Sequence, residues 1–153
     1  MADSTAVGVL FARLQLSVPK LRTVLIAAPR SAEFSPGLGK ELAIAAASAG
    51  LAARLLDLTG REGDGEGEAG LRVDTLGVAV NLDALRRTID SFEGFTVVQG
   101  AGLLDHPGTI LAVPCVDAVV VVAARGTTTR GDLEAVRQEV ERAGGRLVGV
   151  VLK

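Results

Sequence analysis

Apolar residues along this chain fall into short unbroken runs rather than alternating with polar ones. Thr23–Ala28, Arg54–Leu58, Phe95–Gln99 and Asp117–Ala123 are such runs, and Arg146–Leu152 adds a fifth. Unbroken apolarity over so few residues suits strands covered on both faces, as in a parallel sheet. Leu71–Val80 is a weaker strand candidate. The intervening segments carry helical periodicity. Gly39–Ala49 is alanine-rich and stops at Gly50, a residue type that ends helices because it enters left-handed φ without strain. Asn81 or Asp83 caps a helix over Leu82–Phe92, whose Leu82, Leu85, Ile89 and Phe92 share one face. Thr129 or Asp132 starts a helix that ends near Gly144, with Leu133, Val136 and Val140 inward, and a helix over Thr5–Leu16 precedes the first strand. Strands alternating with helices through short links predict an α/β fold: a three-layer, doubly wound, mostly parallel sheet with right-handed crossovers.

One segment breaks the pattern. Gly60–Gly70 reads GREGDGEGEAG, almost without apolar residues, and is expected to be an exposed mobile loop inside a single domain of residues 1–153. Composition narrows the picture further. Hydrophobic residues make up 48% of the chain and aromatics only 3%, with neither Trp nor Tyr, so the core must be aliphatic. A formal net charge of −2 predicts neither a nucleic-acid surface nor an electrostatic membrane anchor. The single Cys115 excludes an internal disulfide and a Cys-rich zinc site, and fits a reducing cytoplasm. The apolar runs are too short to span a bilayer, and no signal-peptide pattern opens the chain. Membrane association is therefore expected only through a partner.

The candidate chemistry lies in TVLIAAPRSAEFSPGLGKELAIAAASAG, residues 23–50. A strand runs into a loop with Gly37 and Gly39, then Lys40, then a helix. A P-loop is built in that order: glycines let backbone N–H groups wrap a phosphate, the helix N-terminus adds positive potential, and the lysine supplies charge. The same four residues, Gly37 to Lys40, also read as a plain turn into a helix. The position after the lysine, where a Ser or Thr would hold magnesium, is Glu41. A carboxylate beside a phosphate is repulsive by about 4 kcal/mol per charge pair at roughly 4 Å and an effective dielectric near 20. That corresponds to on the order of three decades of affinity. Alone in the first turn of a helix, however, Glu41 interacts well with the dipole. Asp57, at the end of a buried strand, is either a turn cap or a metal or proton-transfer group. His106 reads as a surface turn residue, Cys115 as a small buried hydrophobe and Asp117 as a strand start. Arg125–Arg130 is either an anion-receiving loop or a capped loop entering a helix.

Taken in order, these segments resemble the cytoplasmic kinase domain of the bacterial tyrosine kinases that control capsule and exopolysaccharide export, within the ParA/MinD class of P-loop ATPases. Pro36-Gly37-Leu38-Gly39-Lys40-Glu41-Leu42 stands where the family has PGEGKST. Leu55-Leu56-Asp57-Leu58-Thr59-Gly60-Arg61 resembles the strand ending in DxDxR, and Phe95-Thr96-Val97-Val98-Gln99-Gly100 the strand ending in Asp. Gly149-Val150-Val151-Leu152-Lys153 resembles the closing GVVLN. The resemblance implies a P-loop NTPase-like fold, and the departures from it share a direction. Glu41 replaces the metal-binding hydroxyl, Thr59 the second Asp, and Gln99 the Asp that positions metal and water, while Asp57 and Arg61 keep their places. The loop before Gly37 is three or four residues longer than the pattern has it.

With no tyrosine in the chain, self-phosphorylation on tyrosine is impossible. Thr5, Gly8 and Phe11 stand where the family's N-terminal helix has its assembly pattern, so ring assembly of the family type is doubtful, and a homo-oligomer is left open. The resemblance also implies that another segment or another protein covers the last strand.

Three functions are weighed. The first is a non-catalytic pseudokinase or pseudo-ATPase in envelope polysaccharide biosynthesis or export, with no cofactor or metal expected. Its partner would be a protein, such as a membrane-embedded export or synthesis component. The second is a weak ATPase or kinase that binds ATP with magnesium through Gly37, Gly39 and Lys40 and uses Asp57. The third is a ParA/MinD-like positioning protein.

Overall fold

The computed structural model describes residues 4–34, 37–60, 65–66, 71–76 and 81–153. Helix α1 (Ser4–Ser17) leads into β1 (Thr23–Ala28), a single 3-10 turn (Ser31–Glu33) and α2 (Leu38–Ser48). There follow β2 (Ala53–Asp57), β3 (Gly65–Glu66), β4 (Arg72–Thr75), α3 (Leu82–Asp90) and β5 (Phe95–Gly102). The chain continues through α4 (Pro107–Ala112), β6 (Ala118–Ala123), α5 (Arg130–Arg142) and β7 (Leu147–Leu152). The sheet order is β3-β4-β2-β5-β1-β6-β7. Every pairing is parallel except β3 on β4.

Both faces of the sheet are covered, which is why its strands are apolar throughout. Val24, Ile26, Leu55, Val97 and Val120 pack with α1 and α2. Their strand neighbours Leu25, Leu56, Val98, Val119 and Val121 pack with α3, α4 and α5. Three layers result, and the period of two along each strand assigns side chains to one helix layer or the other. Ala53 and Leu55 face the α2 layer, so by the same parity Asp57 points there and Arg54 points to the α3 layer.

The helix ends follow local chemistry. The Asn81 side chain accepts from Ala84 N and so caps α3. Thr129 and Asp132 form a reciprocal capping box on α5. Several expectations need correction. The acidic segment 60–70 is not loop throughout, because Gly65–Glu66 pairs antiparallel with Val73 and Arg72. The strand expected over 71–80 spans Arg72–Thr75, with 77–80 outside the described residues. Asp117 precedes β6 rather than starting it, and its carboxylate accepts from the Arg22 and Thr23 backbone N–H groups. His106 is not a simple turn residue. It is the N-cap of α4, its Nδ1 accepting from Thr109 N at 3.1 Å. Leu82 is exposed and Phe92 lies beyond the end of α3, so the inward face of that helix reduces to Leu85 and Ile89.

Candidate functional site

In a doubly wound sheet, ligands bind beyond the C-terminal ends of strands where crossovers leave toward opposite faces. Here β1 leaves through α2 on one face, whereas its neighbours β5 and β6 leave through α4 and α5 on the other. The crevice is therefore at the end of β1, where Gly37 to Glu41 enter α2. Pro36 and Arg61, two residues of the motifs quoted above, lie outside the described residues.

Gly37 is the N-cap of α2 at φ 120°, ψ −44°, a conformation a side chain would strain. Its carbonyl accepts the first helical hydrogen bond, from Glu41 N at 2.8 Å. Gly39 has a packing role. A Cβ there would lie 3.0 Å from Gln99 Oε1 and 3.6 Å from both Leu55 Cδ1 and Val97 Cγ1. The first turn of α2 thus rests directly on β2 and β5, with the Gln99 carboxamide beneath it. Lys40 is half-buried and makes no hydrogen bond or ion pair among the described residues. Glu41 lies in the first turn with Oε2 buried and without a hydrogen-bond partner.

Asp57 and Gln99 stand opposite each other in the β2–β5 register and are 0% and 1% exposed. Gln99 Nε2 donates to Asp57 Oδ1 at 3.2 Å. The same oxygen accepts from Thr59 N at 3.0 Å and Thr59 Oγ1 at 2.6 Å. Asp57 therefore caps the turn that leaves β2, and Thr59, read in the sequence only as a lost acid, supplies two of the donors.

Sequence reasoning missed the residues that hold the loop after β1. Ser31 donates through N and Oγ to the Asp105 carboxylate, at 2.9 and 2.8 Å. Arg30 pairs with Asp132 at 3.1 Å, and Thr128 Oγ1 donates to the Glu33 carboxylate. The Asp132 carboxyl is held below its ordinary range, chiefly by the hydrogen bond from the Thr129 backbone and further by Arg30. Cys115, expected in the core, is half-buried. Burial pushes its thiol up, and Sγ donates to Leu111 O. Arg125 and Arg130 are exposed at the head of α5. Among the described residues no helix is long and apolar enough to cross a membrane.

No protein-family model matches the chain, and neither does any curated protein. Solved structures do. The kinase domain of the Escherichia coli tyrosine kinase ETK is similar with a TM-score of 0.81 at 17% identity, over 98% of this chain and 74% of that one. The BceF tyrosine kinase domain follows at TM-score 0.71 and 14% identity, over 97% of this chain and 76% of that one. The VpsO kinase domain is similar at TM-score 0.66 and 16% identity, over 98% of this chain and 95% of that one. The three-layer architecture and the parallel sheet are thus those of an α/β P-loop NTPase-like fold, which this chain shares with bacterial tyrosine kinase domains.

Proposed function

We propose that this chain is a non-catalytic relative of the kinase domains whose fold it shares. In this reading it is a pseudo-ATPase serving as a regulatory or scaffold component of bacterial envelope polysaccharide production or export. The observation that carries the reading is the buried, unpartnered Glu41 carboxylate oxygen at the head of α2. A phosphate drawn to that helix end would meet a negative charge where a hydroxyl would have shared its magnesium. The opposing cost is about 4 kcal/mol at 4 Å and an effective dielectric near 20.

Two more observations support it. Gln99 is a neutral amide already donating to Asp57, so it cannot offset magnesium charge as a carboxylate does. Asp57 Oδ1 is taken up by Gln99 and Thr59. These residues do not fit a magnesium-bound triphosphate, and no cofactor is assigned. With no tyrosine among residues 1–153, this domain offers no tyrosyl hydroxyl to modify. Its output would be an interaction, with a protein partner at the membrane as the expected recipient.

Titration calorimetry and thermal melting with millimolar magnesium ATP test the reading. The expected result is no heat, no shift in melting temperature and no hydrolysis. Turnover that disappears in Lys40→Ala would overturn it. It would favour a second reading, a weak ATPase using Lys40 and Asp57, whose support is the unengaged Lys40 ammonium at the first turn of α2.

A further inference from the structure

The two edges of the sheet are finished differently. At one, β3 spans only Gly65–Glu66 and lies antiparallel on β4, whose Arg72 and Asp74 are paired charges. A very short edge strand backed by charge is one way natural sheets resist further pairing. At the other edge β7 reads LVGVVL, without charge or proline, and among the described residues only β6 pairs with it.

The ladder shows which groups this edge offers. Lys153 N donates to Ala123 O at 2.9 Å, and Lys153 O accepts from Arg125 N at 2.7 Å, so both backbone groups of Lys153 face β6. In a parallel ladder alternate residues turn their groups to opposite neighbours. Val151 and Gly149 therefore face β6 as well, whereas Val150 and Leu152 direct N–H and C=O outward. The same two residues have exposed side chains, 48% and 56% accessible. Val148 and Val151 instead pack against the layer of α1 and α2. The charges at the ends of the strand share one sign. Arg146 precedes β7, Lys153 follows it, and Arg125 lies beside Lys153 through the bond just given. All three are exposed, and among the described residues none makes an ion pair.

We propose that the outer edge of β7 is a docking site for an extended segment of a partner protein, apolar in its middle and acidic at both ends. The segment adds a strand to the sheet through the backbone of Val150 and Leu152. Main-chain hydrogen bonds supply the binding and side chains the selection. Aliphatic side chains of the partner cover Val150 and Leu152, and its acidic flanks answer Arg146 at one end and Lys153 with Arg125 at the other. A second copy of this chain does not meet that description. Both ends of β7 are cationic, so pairing in either direction sets like charges together. The site lies two strands from β1 and does not depend on the pseudo-ATPase reading.

The probe is a fluorescein-labelled synthetic peptide of about eight residues, its middle alternating Val with Thr and its ends made of Glu and Asp. A control peptide carries Lys in place of the acids. Fluorescence anisotropy with the full chain measures affinity, and amide exchange followed by NMR locates the contact. At saturation the acidic peptide is expected to slow exchange at Val150 and Leu152 by about tenfold or more, leaving Val151, whose N–H already faces β6, unchanged. The basic peptide is expected to bind about tenfold more weakly, and that preference should shrink as salt rises. Leu152→Asp, at an exposed position, is expected to lower affinity for the acidic peptide by about tenfold. The proposal is refuted if the acidic peptide does not bind, if it binds without protecting Val150 and Leu152, or if both peptides bind alike. A dimer that protects these two amides without peptide would give the edge to a second copy. Protection already present in the free monomer would give it to the chain itself, and either result overturns the proposal.

Discussion

At the start of β2 the Arg54 guanidinium is 2% exposed and is matched on nearly every side. It donates to Thr88 O, Ile89 O and Thr96 Oγ1 at 3.0 to 3.2 Å. It also lies 3.7 Å from the Asp74 carboxylate and 5.0 Å from the Phe92 ring centroid. Burial pulls its pKa down and Asp74 opposes that pull. Only its Nε is left without a partner. Three residues later, on the opposite face, Asp57 is equally buried but adjoins a helix whose first turn carries an unmatched Glu41 oxygen. The Arg54 end is a structural lock, joining β2 to the last turn of α3 through the Ile89 carbonyl and the Thr88 carbonyl, which also accepts from Ser91 Oγ. The α2 end carries a half-buried glutamate, one oxygen of which is buried without a hydrogen-bond partner among the described residues. A buried charge answered by partners ties elements together, whereas the Glu41 Oε2 atom ties α2 to nothing among the described residues.

The largest effect that would sharpen this contrast is expected at Arg54. In Arg54→Ala the two α3 carbonyls and Thr96 Oγ1 lose a charged donor inside the protein, so unfolding free energy should fall by about 3 kcal/mol. Urea denaturation monitored by far-UV dichroism measures it. A loss below about 1 kcal/mol would mean that water reaches those carbonyls, and the lock would then be no different from a surface pair.

How far each end was readable in the sequence follows the same division. Thr23–Ala28 is the observed β1, and the other apolar runs lie close to their strands because burial on both faces leaves an unmistakable trace. The start of α5 was readable at Thr129 or Asp132, whereas the reciprocal box that joins the two was not read. Gly65–Glu66 escaped notice, since a strand made by backbone pairing needs no apolar side chain. Helix α4 escaped because six residues containing Pro107 and Gly108 resemble a turn. Gly37, Gly39, Lys40 and Glu41 were visible because they are contiguous, yet the use of Gly39 as packing space for Gln99 depends on a contact across the sheet. The ties of the loop after β1 were invisible: they join residues 74, 95 and 102 positions apart. Burial of Arg54 likewise depends on α3 and β5, which no local pattern announces.

A smaller change, opposite in sign, is expected at the other end of the comparison. Glu41→Ala removes an unpartnered buried oxygen, worth about 1 to 3 kcal/mol, and forfeits a favourable dipole interaction of about 0.3 to 1 kcal/mol. The balance predicts stabilisation by about 1 kcal/mol, seen as a higher urea midpoint at unchanged slope. Destabilisation of similar size would place Glu41 among the answered charges and erase the distinction between the two ends.

The smallest effect concerns acid. The Asp132 carboxyl carries a depressed pKa, set first by the Thr129 backbone N–H and assisted by Arg30, against an ordinary value of 3.8. A folded value below the unfolded one means that its contribution is complete above about pH 4 and disappears as pH falls through the folded value. Glu134 is also lowered, chiefly by its hydrogen bond from Arg137, so wild type alone cannot isolate Asp132. The informative quantity is the gap in melting temperature between wild type and Asp132→Asn, followed from about pH 6 down to about pH 3. It should be constant near neutrality and close below about pH 4. Arg30→Ala should narrow it at every pH where Asp132 is charged, because Arg30 joins this cap to the loop after β1. A gap that ignores both pH and Arg30 would leave the cap as a local device of α5. The loop after β1 would then lack a charged tie to that helix, its contacts through Ser31 and Glu33 remaining.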